Sequence, residues 1–283
     1  ILLGQSLTPA AGNWANPNPA VGFTPFYGRF ASNPGTSTII GDAAASGGSF
    51  FLFWLGLDDF FLHAAFGADP TKAPLTVAVG GTPANFDYQY AGAIATLLGS
   101  NPNLKGVVGN FPDIFKMPHF TSVTYNAIPL DAATATAVTT GLATPYNAII
   151  NAAFGNGVIT AAERDKRLLS YVAGQNKILL TDETLTDLTA FMNGAGAAAL
   201  VPYARARQTT SADVLPLSAG SVLGVGGAGV NVPLADQYVL IPTEITAIND
   251  ARTAYNAIVA GVAAANSTKI ALADVNATMT AFT

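Results

Sequence analysis

Polar side chains follow three apolar segments of this chain, at the points where those segments end. In chain order they are Asp58 and Asp59 after FFLFWLGL, Asn110 and Asp113 after LKGVVG, and Asp274 and Asn276 after KIALA. In open α/β sheets, ligands bind at the carboxyl ends of the strands. The pattern therefore predicts one shared polar rim, although such residues also cap helices and fix turns.

The adjacent acids Asp58 and Asp59 are expected to play different parts. Neighbouring residues in extended chain point to opposite sides of a sheet. At most one of the two therefore faces a cleft, and the other accepts backbone N–H groups in the turn.

Three short apolar runs are typical of strands that are buried on both faces: 49–57, 104–111 and 269–276. An amphipathic pattern predicts a helix over 84–98, and another over 243–264. Strand, helix and strand in this order form βαβ units. The sequence thus predicts an α/β fold in which the three strands lie side by side and point the same way.

The remaining segments are less regular. Helices are expected over 37–46, 144–154 and 160–173, and 177–192 is expected to form a short strand and then a helix capped by Thr181 or Asp182. Residues 8–36 are rich in Pro, Asn and Gly and are predicted to form a loop. Residues 193–233 are predicted to be an irregular surface insertion in a single domain spanning 1–283.

Composition narrows the classes of function. Of 283 residues, 10% are charged and 50% are hydrophobic, so the surface must be neutral and polar, which suits a secreted or envelope protein. The net charge is −5 and no basic run is present, so nucleic acid is not an expected partner. No cysteine and only two histidines occur, which argues against a thiolate or His-rich metal site.

No targeting or membrane-spanning signal is visible. No apolar run reaches the roughly 18 residues that a membrane helix needs. The chain begins with Ile1. We therefore expect either a removed signal or a fragment, incomplete at both ends, whose lipid anchor would lie outside this chain.

The order of the segments resembles a known family. In succession the chain contains TPFYGRFAS, FFLFWLGLDD, FDYQYAGAIATLLGSNPNLKGVVGNFPDIFKMPHFTSVTYNAI, ARQTTSADVLPLSAGSVLG, VPLADQYVLIPTEITAINDARTAYNAIV and IALADVNATM. This succession, from about residue 20 onward, is similar to SGNH/GDSL-type hydrolases of the Bacteroidetes envelope lipoprotein branch. The resemblance implies a flavodoxin-like three-layer α/β/α sandwich, ester hydrolysis without a cofactor, and an outer-membrane or extracellular location.

The sequence blocks that carry the family's function are matched only in part by this chain. WLGLDD matches a Gly-x-Asn-Asp block, which places Gly56 at its Gly, Asp58 at its oxyanion-binding Asn and Asp59 at its Asp. An ionised Asp58 can only accept hydrogen bonds, so it would oppose a developing oxyanion. The Asp-x-x-His block of the family is absent.

Ser6 and the two histidines are the remaining candidates for a triad. The nucleophile block Gly-Asp-Ser-Leu is resembled by Gly4, Gln5, Ser6 and Leu7. Residues 8–49, however, lack the pattern of the βαβ crossover that should follow this block. Ser6 is therefore either the nucleophile or a loop serine. His63 and His119 are expected to be structural, with His119 close to the active face.

Three functions remain open. The first is an ester hydrolase acting on an ester or acylated glycan, and the second is an inactive relative that serves as a binding or structural subunit of an envelope assembly. The third is carbohydrate binding at the strand ends through exposed aromatic rings, for which core packing is the alternative. The aromatic candidates are Trp54, Tyr88, Tyr90 and Tyr125.

Overall fold

The computed structural model of the protein describes residues 31–33 and 37–281, so Ser6 lies outside the described residues. The described chain forms two compact units. The first comprises the described residues up to 63, with 74–114 and the chain from 246 onward. The second comprises 64–73 and 115–245.

Ten α-helices and seven strands are labelled in chain order within the described residues. The helices are α1 (Ile39–Ala45), α2 (Asp58–Ala65), α3 (Phe86–Ser100), α4 (Pro118–Thr121), α5 (Ala132–Val138), α6 (Thr144–Gly155), α7 (Ala161–Arg167), α8 (Thr189–Gly194), α9 (Pro242–Ala265) and α10 (Val275–Thr280). The strands are β1 (Phe50–Phe53), β2 (Lys105–Gly109), β3 (Ile128–Leu130), β4 (Gly174–Asn176), β5 (Leu179–Thr181), β6 (Ala206–Gln208) and β7 (Ile270–Ala273).

The first unit is built on a parallel three-stranded sheet with the order β1-β2-β7. Leu52 lies opposite Val107, which lies opposite Ala271. The prediction that these three apolar runs lie side by side and point the same way is confirmed. The fold is mixed α/β, as the alternation of apolar runs and amphipathic segments predicted.

Helices α3 and α9 cover one face of this sheet. Phe53 of β1 packs edge-on against Tyr90 of α3, with ring centroids 5.2 Å apart. Phe86 of α3 stacks on Tyr255 of α9 at 4.2 Å. Two successive right-handed crossovers that advance in the same direction across a sheet place their helices on the same face. The strand order therefore explains why α3 and α9 are neighbours.

Within the described residues, the opposite face of the sheet is exposed, so the prediction that the three strands are buried on both faces is wrong. We call it the open sheet face; its residues are Phe50, Leu52, Trp54, Lys105, Val107 and Ala271. Phe50, Leu52 and Trp54 alternate along the chain with residues that point the other way, and they are 63%, 75% and 44% exposed. Val107 is half-buried and Ala271 is exposed.

The second unit combines short helices with two antiparallel strand pairs, β3-β4 and β5-β6. Its core includes Tyr146, Ile150 and Leu179, all fully buried. Segment 193–233 is largely irregular. It contains three short 3-10 helices, Ala198–Tyr203, Leu217–Ser221 and Val225–Gly227, and also β6, whose three residues are buried.

Several helix boundaries differ from the predictions. Helices α3 and α9 match them closely, but α7 ends at Arg167 rather than continuing to 173. The helix predicted to start at Thr181 or Asp182 begins at Thr189. Asp182 instead accepts hydrogen bonds from the Thr184 amide and hydroxyl, at 3.0 and 2.5 Å, which fixes a turn. None of the helices in the described chain has the length and apolarity needed to cross a membrane.

Candidate functional site

Asn110 lies at the centre of the polar groups at the carboxyl ends of the three strands. Its side-chain amide donates to Asp274 Oδ1 at 2.8 Å, and its Oδ1 accepts from the Asn276 backbone N–H at 2.8 Å. Trp54 Nε1 donates to the Asn110 carbonyl at 3.0 Å. The predicted shared rim therefore brings Asn110, Asp274 and Asn276 together.

Two further contacts complete this rim network, which consists of Trp54, Asn110, Asp274, Asn276 and Arg252. Asp274 caps α10 by accepting from the Ala277 N–H at 2.9 Å, and Arg252 Nη1 donates to Asn276 Oδ1 at 3.0 Å. The Ala277 N–H and then the Asn110 amide hold the pKa of Asp274 below its ordinary value. The network joins the ends of β2 and β7, which is a structural role.

Asp58 and Asp59 lie in the first turn of α2, not in extended chain as expected. The N-terminal turn of a helix favours acids because of the helix dipole. Asp59 is buried and accepts from the Thr76 hydroxyl at 2.8 Å. Asp58 is exposed, and desolvation followed by the charge of Asp59 raises its pKa.

Gly56 connects β1 to α2 in a conformation that requires glycine. Its φ is +112°, and an added Cβ would lie 2.6 Å from the Phe86 ring and 3.2 Å from Phe111. Buried aromatic rings therefore surround Gly56, and its position is explained by the turn and by packing.

Each of the two histidines lies in a helix. His63 is buried in the last turn of α2, in the first unit. His119 is half-buried in α4, in the second unit, and its ring lies edge-on to Phe120 at 4.8 Å. Desolvation lowers the pKa of His119. Asp113, which also follows β2, is half-buried.

The four aromatic candidates differ in exposure. Tyr90 is fully buried in the core, as the packing alternative predicted. Tyr88 is 52% exposed on α3, and Trp54 takes part in the rim network. Tyr125 is half-buried and belongs to the second unit.

Three carboxylates of the second unit converge, which the sequence did not indicate. One ligand atom from each of Glu183, Asp236 and Glu244 lies within 4.8 Å of the others. Burial, and then nearby Glu183 and Asp69, raise the pKa of Asp236 to about 6. Burial also raises the pKa of Glu244 to about 8, more strongly than the Ile241 N–H lowers it, and Glu183 and Asp236 add to the rise.

These carboxylates offer the oxygen ligands that Ca²⁺ or Mg²⁺ would use. Protonation of Glu244 relieves the repulsion among the three carboxylates without a bound ion. Glu244 is largely neutral at pH 7 because its pKa is near 8. The cluster therefore has an electrostatic explanation that needs no metal.

A second feature missed from the sequence is a buried group of charges around Arg207. Its guanidinium donates to Asp182 Oδ2 at 2.5 Å and to both Asp213 oxygens, at 2.8 and 2.6 Å. All three side chains are nearly inaccessible to solvent. Burial opposes the charged form of Asp182, but hydrogen bonds from Thr184 and Arg207 outweigh it and lower its pKa.

Comparisons with protein-family models, with curated proteins and with solved structures find no match to this chain.

Proposed function

We propose that this chain is a catalytically inactive relative of the SGNH/GDSL hydrolases that acts as a binding or structural subunit of a cell-envelope assembly. The observation that carries the proposal is the open sheet face. Parallel sheets normally have both faces covered. Here Phe50 and Leu52 expose most of their surface on one face of a parallel sheet.

The chemistry of the open sheet face favours a protein partner with an apolar surface. Phe50, Leu52 and Trp54 are neighbours on this face, and Lys105 is its one charged residue. Burying such side chains contributes about 1.5–3 kcal/mol each. Large apolar side chains grouped in this way are typical of interaction sites.

The rim network supports the absence of catalysis. One N–H of the Asn110 side chain donates to Asp274 and its Oδ1 accepts from the Asn276 backbone N–H, so this side chain is used to join β2 to β7. Asp58, at the position of the family's donor, carries a carboxyl group in the first turn of a helix. A carboxylate there would oppose the charge that develops during ester hydrolysis.

The proposal includes a flavodoxin-like fold for the first unit and a location in the cell envelope or outside the cell. Helix α1 packs against α3, and α3 packs against α9. In a flavodoxin-like three-layer sandwich, the envelope partner would cover the open sheet face as the third layer. The neutral surface suits an outer-membrane lipoprotein or an extracellular protein.

The alternative is an active ester hydrolase that uses Ser6 on an ester or acylated glycan. Gly56 favours this alternative, because it lies at the carboxyl end of β1 where the resemblance places the oxyanion glycine. A p-nitrophenyl ester assay on natively purified protein separates the two functions. We expect no turnover; turnover that a fluorophosphonate abolishes, and that Ser6→Ala loses, would establish the hydrolase instead.

Site-specific photocrosslinking tests the binding role. A photoreactive phenylalanine analogue at Leu52 should form one discrete adduct in cells of the native host. The same analogue at Val79 is the control, because Val79 is 65% exposed in the same unit but outside the sheet. We expect the adduct from position 52 only, and its loss when Phe50→Asp is added.

Two results would contradict the binding role. One is the absence of any adduct at position 52, and the other is an adduct that maps to this chain's own residues. In either case the open sheet face would not be an interface with another protein.

A further inference from the structure

A groove between α1 and α3 is lined by neutral polar side chains and by one exposed aromatic ring. Its volume is about 320 Å³. Binding pockets for small molecules begin near 300 Å³. The groove belongs to the first unit and is separate from the open sheet face.

The wall formed by α3 is a row of three residues. Tyr88, Gly92 and Thr96 are spaced four apart and so lie on one face of the helix. Tyr88 is 52% exposed at one end, and Thr96 is exposed at the other. Gly92 leaves the space between them empty, since an added Cβ would meet no atom within 4 Å.

Glycine within a helix costs about 1 kcal/mol relative to alanine. At Gly92 no neighbouring atom lies close enough to exclude a side chain, so packing does not explain the glycine. The bare backbone instead forms the floor of the groove, which a larger residue would fill.

The polar side chains of the groove are neutral, and each keeps hydrogen-bonding capacity. Thr38 Oγ1 accepts from the Gly41 N–H, so its hydroxyl hydrogen remains to donate. Gln89 Nε2 donates to the Pro83 carbonyl at 2.8 Å, which leaves its Oε1 to accept. Thr96 donates to the Gly92 carbonyl and keeps its lone pairs.

We propose that this groove binds a neutral oligosaccharide. Sugar hydroxyls both donate and accept, which matches the capacity of Thr38, Gln89 and Thr96. The exposed Tyr88 ring offers an apolar face on which a sugar ring can stack, with a polar hydroxyl at its edge. None of the residues that line the groove is charged, which disfavours anionic ligands.

Titration with defined tetrasaccharides tests the proposal. The probes are cellotetraose, maltotetraose, mannotetraose, xylotetraose and chitotetraose, with tetragalacturonate as the charged comparison. Amide chemical shifts of the full chain report binding. We expect at least one neutral tetraose to bind with a Kd below about 1 mM, and tetragalacturonate not to bind.

Substitutions at Gly92 and Tyr88, with one control at Gly99, test whether binding takes place in the groove. Gly92→Leu should fill the groove and weaken binding at least about tenfold, and Tyr88→Ala should weaken it similarly. Gly99→Leu is the matched control, because Gly99 lies in the same helix with open space around it but outside the groove. Both leucine variants should unfold at similar temperatures, above that of the unmodified chain.

The proposal is overturned if no neutral tetraose shifts any amide at about 10 mM. It is also overturned if Gly92→Leu binds as tightly as Gly99→Leu, or if tetragalacturonate binds as tightly as the neutral sugars. None of these variants alters the open sheet face, so the result is independent of the proposed envelope partner.

Discussion

At the scale of single residues, a buried group of charges lies in the second unit. Arg207 is held between Asp182 and Asp213, and all three side chains are almost fully buried. Removing one member of a buried charge group leaves the others unpaired in a medium of low polarity. The residue is therefore needed for folding even though it lies outside any proposed site.

We predict that Arg207→Met lowers the free energy of unfolding by about 3–5 kcal/mol. Arg205→Met is the control, because Arg205 is 39% exposed and forms a looser ion pair with Asp187 at 3.6 Å. Its loss should cost less than about 1 kcal/mol. Denaturant unfolding measures the free energy of unfolding of both variants. Equal decreases in the two variants would show that burial does not determine how much stability is lost.

At the scale of elements, the turn from β1 into α2 depends on Gly56. The backbone must adopt a positive φ there, and the aromatic rings of α3 and of the segment after β2 leave no room for a side chain. The turn directs the chain from the end of the strand into a helix whose first residues are Asp58 and Asp59.

Gly56→Ala should therefore destabilise the protein by at least about 2 kcal/mol, from both backbone strain and the clash with Phe86. Gly81→Ala separates the two effects, because Gly81 also has a positive φ, +65°, but open space around it. This control should cost about 1 kcal/mol. Thermal or denaturant unfolding gives both values, and a Gly56→Ala cost no larger than that of Gly81→Ala would exclude the packing contribution.

At the scale of the whole molecule, two opposed pKa shifts in the second unit shape the dependence of stability on pH. The pKa of Asp182 is lowered on folding, so its contribution is present above its ordinary value of 3.8 and is lost as pH falls through the folded pKa. The pKa of Glu244 is raised from 4.5 to about 8, so its contribution is present below 4.5 and is lost as pH rises toward 8. Stability should therefore be greatest in mildly acidic solution.

We predict that the unfolding free energy falls from about pH 5 to about pH 8, by roughly 2–3 kcal/mol. Glu244→Gln should remove most of this decline, and the part that stays, below about pH 7, comes from Asp236, whose pKa is raised to about 6. Glu183→Gln should only reduce it, because burial rather than the charge of Glu183 is the larger cause of the Glu244 shift. Unfolding curves at several pH values measure the slopes, and an undiminished fall of the unfolding free energy between about pH 7 and pH 8 in Glu244→Gln would assign that fall to another group.

The sequence by itself determined the parallel sheet and its main helices. Apolar runs and helical periodicity are local patterns, so β1, β2, β7, α3 and α9 were predicted close to their observed places. The rim was predicted because strand ends of a parallel sheet must meet at one edge, and Asn110 and Asp274 are hydrogen-bonded there.

Only the tertiary structure decided which side chains meet across long stretches of chain. Glu183 and Glu244 are brought together by folding, as are Asp182 and Arg207, and no local pattern marks either pair. The open sheet face depends on which elements cover it, and the groove at Gly92 depends on where α1 packs. Burial and proximity are properties of the folded chain, whereas strand and helix propensity are properties of each segment.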